Sequence, residues 1–178
     1  MYFCSLNRRD MTTLYLVRHG ETTDNVAKII QGQTQGCLTE HGRLQAVAVR
    51  DKMAAEHFDA FISSDLKRAV DTATIIAGPH GQEVTLTPLL RERDWGGFTG
   101  RYIPDLRSAT WPADIETLDC MMARAADFLT YIRTSYPDSK VLAVGHGIIN
   151  KAIQAVCHGK QMNDIERMDN AEIRVLTL

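Results

Sequence analysis

The sequence predicts an α/β fold, a three-layer α/β/α sandwich around a mostly parallel central sheet. Three observations carry that reading. Short apolar runs without helical period recur along the chain, segments with apolar residues at three-to-four spacing separate them, and glycine-bearing turns close several of the runs. Buried parallel strands look like this because helices cover both faces of their sheet.

Leu14-Tyr15-Leu16-Val17 reads as the first strand, running out into Arg18-His19-Gly20. Thr39 is a hydroxyl N-cap, and the helix behind it carries Glu40 in its first turn and Leu44, Val47 and Ala48 as its apolar face. Residues 59–63 form the second strand. Ser64 is expected to cap the following helix, in which Leu66, Ala69, Val70, Ala73, Ile76 and Ala77 keep the period until Gly78-Pro79 stops it. Residues 84–87 make a third strand, and a loop containing Gly and Pro follows over 91–112. Leu118, Met122, Ala125, Leu129 and Ile132 mark a long helix that ends before Pro137. Residues 141–144 are the most apolar strand, followed by Gly145-His146-Gly147 and a helix to Gly159. Ile173, Val175 and Leu176 suggest a last strand at an edge of the sheet.

Composition narrows the function. The chain has 178 residues, enough for one domain burying ~70% of its unfolded surface, so residues 11–178 are read as a single domain. Residues 1–10 carry no signal-peptide pattern and are read as an N-terminal tail. Twenty basic residues against twenty-two acidic ones, with no basic block, argue against a nucleic-acid partner. No apolar run approaches ~18 residues, which argues against a membrane span. Cys4, Cys37, Cys120 and Cys157 form no CxxC pair and no zinc-ligand spacing, so a reducing cytoplasm is expected and no metal. Cys157 is expected to be buried at a helix end.

The chemistry lies in a constellation rather than in one motif. Arg18 and His19 leave the first strand, Arg68 lies in the helix after the second, Glu92 follows the third and His146 follows the fourth. In open α/β sheets the reactive site lies beyond the carboxyl ends of the strands, so this topology can bring these residues together. Two arginines, two histidines and one carboxylate suit a dianionic phosphoryl group, because guanidinium forks match phosphate oxygens and stay charged at any relevant pH. His41, His57 and His80 fall on expected helix or loop surfaces and carry no such signal.

Leu16-Val17-Arg18-His19-Gly20-Glu21-Thr22 resembles the signature of the histidine phosphatase superfamily, phosphoglycerate mutase-like branch. Further blocks resemble it in the same order: Asn25, Leu38-Thr39-Glu40-His41-Gly42 with Gln45-Ala46, and Ser63-Ser64-Asp65-Leu66-Lys67-Arg68-Ala69 with Thr72-Ala73. Leu90-Arg91-Glu92-Arg93-Asp94-Trp95-Gly96, Val144-Gly145-His146-Gly147 and Asn170-Ala171 complete the series, from about Leu14 to Leu178. The resemblance implies a metal-independent and cofactor-free phosphomonoesterase acting on a small phosphorylated metabolite. In it His19 is the nucleophile that forms a phosphohistidine, with one ring nitrogen held by a backbone carbonyl. Arg18, Arg68 and His146 hold the phosphoryl oxygens, and Glu92 is the general acid and base. Asn25, Thr22, Gly147 and Trp95 are expected at the substrate, with Phe98, Tyr102 and Trp111 as further candidates for a specificity wall. Glu21 is the rival carboxylate, read instead as a first-turn residue facing a short helix's positive end.

The family's mutases carry longer insertions with extra basic residues over the site. Here the stretch from Gly96 to Glu116 is short and holds Arg101 and Arg107 without an adjacent arginine pair. A short cover lets water reach a phosphohistidine, which favours hydrolysis over a mutase-type transfer. The resemblance also extends to Glu116 and Arg124, where Asp114-Ile115-Glu116-Thr117 departs from the family's usual turn. A phosphoprotein or phosphohistidine phosphatase and a non-catalytic phosphate-binding regulator are the remaining alternatives. The quaternary expectation is a monomer or homodimer.

Overall fold

The computed structural model describes residues 11–178; the expected tail, with Cys4, lies outside the described residues. Five strands form one sheet: β1 (Thr13–Arg18), β2 (Ala60–Ser64), β3 (Val84–Thr87), β4 (Lys140–Gly145) and β5 (Ile173–Thr177). Their order is β3-β2-β4-β1-β5, parallel except for β5, which runs antiparallel to β1 at the edge. The helices are α1 (Thr23–Ala27), α2 (Glu40–Met53), α3 (Lys67–Ala77), α4 (Leu118–Ser135) and α5 (Gly147–His158).

The sheet separates two cores. Val141 and Ala143 of β4 pack with Leu14 and Leu16 of β1 against α4 and α5, through Phe128, Leu129, Ile149 and Ile153. Leu142 and Val144 point the other way, with Val17 and Phe61, against Val49 and Met53 of α2 and Ala73 and Ile76 of α3. Period-two alternation along strands buried on both faces gives the three layers directly. The 18-residue helix α4 contains no stretch apolar enough to cross a membrane, and neither does any other described helix.

Several local expectations change. The buried face of α2 is Gly42, Ala46, Val49 and Met53, whereas Leu44 is 56% exposed. The reason is steric: α2 must lie against the loop after β1. A β-carbon on Gly20 would stand 2.3 Å from the carbonyl oxygen of Gly42, and one on Gly42 only 2.0 Å from that of Glu21. Two glycines from separate motif blocks are thus one backbone-to-backbone contact. Ser64 ends β2 rather than capping α3; its hydroxyl accepts from Leu66 N, and Gln35 Oε1 from a distant loop accepts from Lys67 N at 2.9 Å. His80 is half-buried, its ring 4.9 Å from that of Phe61 and 5.6 Å from that of Phe58. Cys157 is half-buried rather than enclosed.

Candidate active site

β1 and β4 are adjacent and parallel, with Arg18 paired to Gly145, so the next residue of each strand is a histidine at the same end of the sheet. His19 N donates to Gly145 O at 3.1 Å, and the two imidazole rings lie 5.1 Å apart. The chain leaving β1 goes on to α2 on one face and that leaving β4 enters α5 on the other, which opens a crevice between these strands.

His19 is 3% exposed and His146 fully enclosed. His19 Nδ1 lies 2.7 Å from the carbonyl oxygen of Gly20. A carbonyl only accepts, so this contact places the proton on Nδ1 and leaves the Nε2 lone pair free. Burial, then the charges of Arg68 and Arg18, hold the His19 pKa well below its ordinary value of 6.5. His146 is lowered in the same way, by burial first and then by Arg68. Both rings are therefore neutral near pH 7, the state in which imidazole is a nucleophile.

The arginines are positioned by backbone carbonyls. Arg18 Nη1 donates to Met168 O at 2.7 Å. Arg68, 1% exposed, donates from Nη2 to Gly32 O at 2.8 Å and from Nη1 to Thr34 O. Burial lowers both guanidinium pKa values to about 10, which leaves both charged at neutral pH. Arg18 Nε, Arg68 Nε and both ring nitrogens of His146 are buried and find no hydrogen-bond partner in the protein. Buried polar groups are rarely left so, and several gathered at one place need an external partner, for which an anion is the natural candidate.

Glu92 faces the same cleft. Its carboxylate accepts from Arg93 N at 2.8 Å and from Ile148 N and Ile149 N, the first-turn amides of α5, at 3.1 and 3.3 Å. The loop bearing it is braced from behind. Arg124 forms a two-pronged pair with Glu116 at 2.8 Å and donates to the carbonyls of Leu89 and Arg91; Glu116 Oε2 accepts from Asp94 N. Glu116 and Arg124 thus support the site without lining it. Arg91 pairs with Asp65, which is held below the usual carboxylate range by that hydrogen bond.

The cleft, about 290 Å³, is lined by Arg18, His19, Arg68 and Glu92, together with Asn25 and Trp95. His146 stands behind them against His19. Asn25 Oδ1 is occupied by Thr22 N and Asn170 Nδ2, which leaves its amide N–H groups for a ligand. Thr22 does not line the cleft: it is fully buried, and its hydroxyl caps α1 by accepting from Asn25 N. Gly147 opens α5 directly beneath Arg18 and Glu92. Of the four aromatic candidates only Trp95 reaches the cleft. Phe98 is buried with Ile30 and Ile115, and Trp111 stacks beyond it at 5.8 Å. Arg101 lies over the Phe98 ring and does not reach the cleft either. Glu21 precedes the α1 cap and accepts from Thr39 Oγ1 at 2.7 Å, tying the loop to the cap of α2 instead of serving α1's first turn. No group of three potential metal ligands exists among the described residues.

Of the polar side chains in the cleft, Gln31 and Arg167 are absent from the sequence reading. Both sit in loops, outside every motif block. Gln31 is separated from Asn25 by a turn of chain with no period, and Arg167 stands alone between α5 and β5.

Comparison with known proteins points the same way. The chain is 38% identical over 176 residues to a metal-independent phosphoserine phosphatase of Arabidopsis thaliana, covering 86% of this chain and 74% of that one. It is 37% identical over 152 residues to a probable phosphoglycerate mutase of Photorhabdus laumondii, covering 78% and 71%. Among solved structures, a mycobacterial glucosyl-3-phosphoglycerate phosphatase bound to vanadate superimposes with a TM-score of 0.82 at 27% identity, over 92% of this chain and 91% of that one. The family model for the histidine phosphatase superfamily (branch 1) matches residues 14–178, and with Arg18-His19 at the end of β1 and His146 at the end of β4 it settles that this chain belongs to that superfamily.

Proposed function

We propose that the protein hydrolyses phosphomonoesters of small metabolites without a metal, through a phosphohistidine on His19. The carrying observation is the set of buried donors without protein partners, Arg18 Nε, Arg68 Nε and the His146 ring, gathered around the free Nε2 of His19. In the first step His19 Nε2 attacks phosphorus, the P–O ester bond breaks, and Glu92 gives its proton to the departing oxygen. In the second, water attacks phosphorus, its proton returns to Glu92, and the P–N bond breaks to release phosphate and neutral His19. Arg18, Arg68 and His146 hold the three peripheral oxygens throughout. Preorganised donors of this kind are worth ~10²–10³ in rate apiece. The fixed guanidinium charges supply the electrostatic stabilisation that Mg²⁺ provides in other phosphoryl-transfer sites.

Hydrolysis is favoured over mutase transfer by the cover. Residues 96–108 make two short 3-10 turns, tied to the segment before them by Ile30 N to Arg101 O at 3.0 Å and Ile103 N to Lys28 O at 2.8 Å. This thin flap leaves the cleft open to water. The same reading takes residues 11–178 as one catalytic domain, a monomer or homodimer in the cytoplasm. Cys37, Cys120 and Cys157 are unpaired, as a reducing compartment would keep them. The test is phosphate release from a panel of phosphorylated metabolites in the presence of chelator. Turnover that survives chelation is expected, and turnover that vanishes and returns only with Mg²⁺ or Zn²⁺ would overturn the metal-free mechanism.

A further inference from the structure

Asn150 is a polar side chain near the start of α5, fully enclosed and adjacent in sequence to Ile149 of the apolar core. Its Nδ2 donates to Val17 O at 3.0 Å, which fixes the orientation of the amide because a carbonyl only accepts. The same nitrogen stands 3.7 Å from Met168 Sδ, a side chain that is itself buried. Oδ1 is left buried with no hydrogen-bond partner. It lies over Gly145, where a β-carbon would meet it at 2.3 Å, so only glycine there leaves room for it.

Leucine has nearly the same shape and would fill this place without burying an unpaired carbonyl, so packing alone gives no reason for an amide here. The partners of the amide supply one. Val17 immediately precedes Arg18 on β1, and Gly145, beneath Oδ1, is the residue paired with Arg18 across the sheet. Met168 is the residue whose carbonyl accepts from Arg18 Nη1 at 2.7 Å. Asn150 therefore joins the strand end that carries Arg18 to the residue that aims its guanidinium group. The segment around Met168 is anchored from its other side by Arg174, which donates to Glu166 O at 3.0 Å and pairs with Glu172 at 2.8 Å. Asn150 itself does not line the cleft.

We infer that Asn150 is a positioning residue, which fixes the strand end and the Met168 support that together direct Arg18 at the phosphoryl group. It touches neither substrate nor reacting atoms and acts only through Arg18. The inference rests on the reading of this cleft as a phosphomonoesterase site in which Arg18 is a phosphoryl ligand.

Binding of inorganic phosphate, read by calorimetry in a double-mutant cycle, tests it. Asn150→Leu is expected to weaken phosphate about tenfold, while its urea midpoint stays at or above that of the parent because the unpaired carbonyl is gone. In an Arg18→Met background, adding Asn150→Leu should change the affinity no further. Unchanged affinity in Asn150→Leu, or the same fold loss with and without Arg18, would each overturn the inference. So would a folded Asn150→Leu with a urea midpoint clearly below the parent's, by showing that the amide is kept for the fold. Should leucine's bulk prevent folding, Asn150→Ala removes the same two contacts and carries the cycle, decided by the same two affinity outcomes. A phosphate affinity that survives Arg18→Met would tell against the reading of the cleft itself and overturn this inference with it. Failure of the Asn150 arms with Arg18 still required would leave that reading standing.

Discussion

Glu92 is the residue on which the chemistry divides. Leaving-group protonation matters most when the departing alkoxide is poor, whereas a nitrophenolate leaves without help. Glu92→Gln should therefore slow an alkyl phosphate by ~10²–10⁴ and slow phosphorylation by an aryl phosphate far less. Phosphohistidine should accumulate with the aryl ester, because water activation needs the same carboxylate. Rapid-quench kinetics with both esters would show it; equal losses and no trapped intermediate would move the acid role elsewhere. Gly20 is a residue of a different kind, required by space. Gly20→Ala drives a β-carbon into the Gly42 carbonyl, backbone against backbone, and should cost about 1–3 kcal/mol in urea unfolding. At this scale the sequence was legible wherever a residue stood inside a motif block at or just beyond a strand end, as Arg18, His19 and His146 do, with Arg68 in the first turn of α3. Thr22 was misjudged because a hydroxyl beside a catalytic loop serves equally as a helix cap. Arg167 and Gln31 were invisible because only the tertiary path of two loops brings them to the cleft.

At the scale of elements, the brace behind the acid loop matters most. Arg124 of α4 joins Glu116 to the carbonyls of Leu89 and Arg91, so one helix fixes the position of Glu92 through its backbone. Arg124 is a positioning residue, and lysine's single compact ammonium cannot span the partners that the separate guanidinium nitrogens reach. Arg124→Lys should lower kcat for alkyl esters more than for aryl esters, with KM little changed, and an equal effect on both would show a purely structural role. The same element explains why Glu116 carried a resemblance without belonging to the site. The strands were legible because apolar runs buried on both faces have few alternatives, and α4 was legible because of its length and its stop before Pro137. The face of α2 was not: hydrophobicity favours Leu44, but only small side chains at Gly42 and Ala46 allow the close approach to the β1 loop. The cover over residues 96–108 has no period, and its two 3-10 turns follow from contacts made elsewhere.

Across the whole molecule, two buried neutral histidines link folding to protons. Both have native pKa values held well below 6.5, so as pH falls through that value the unfolded chain takes up protons that the native chain does not. Stability therefore falls with falling pH, by up to about 1.4 kcal/mol per pH unit for each histidine. Urea unfolding between pH 7 and pH 5.5 should show this slope, and His146→Gln should reduce it by roughly half; an unchanged slope would mean that His146 is not buried in the neutral form. The cost of enclosing two imidazoles and two guanidinium groups is offset elsewhere by the two apolar cores on either side of the sheet. The fold thus tolerates a site in which Arg18 Nε, Arg68 Nε and the His146 ring find no partner within the protein.

The central claim is that His19 Nε2 carries the phosphoryl group between substrate and water. The most direct measurement is to mix the protein with a radiolabelled aryl phosphate, quench it in alkali within one turnover, and map the label by mass spectrometry. The account predicts an alkali-stable, acid-labile phosphoramidate on His19, formed in the presence of chelator and absent from His19→Ala, which should also lose turnover. Label on another side chain, or undiminished hydrolysis by His19→Ala, would contradict it.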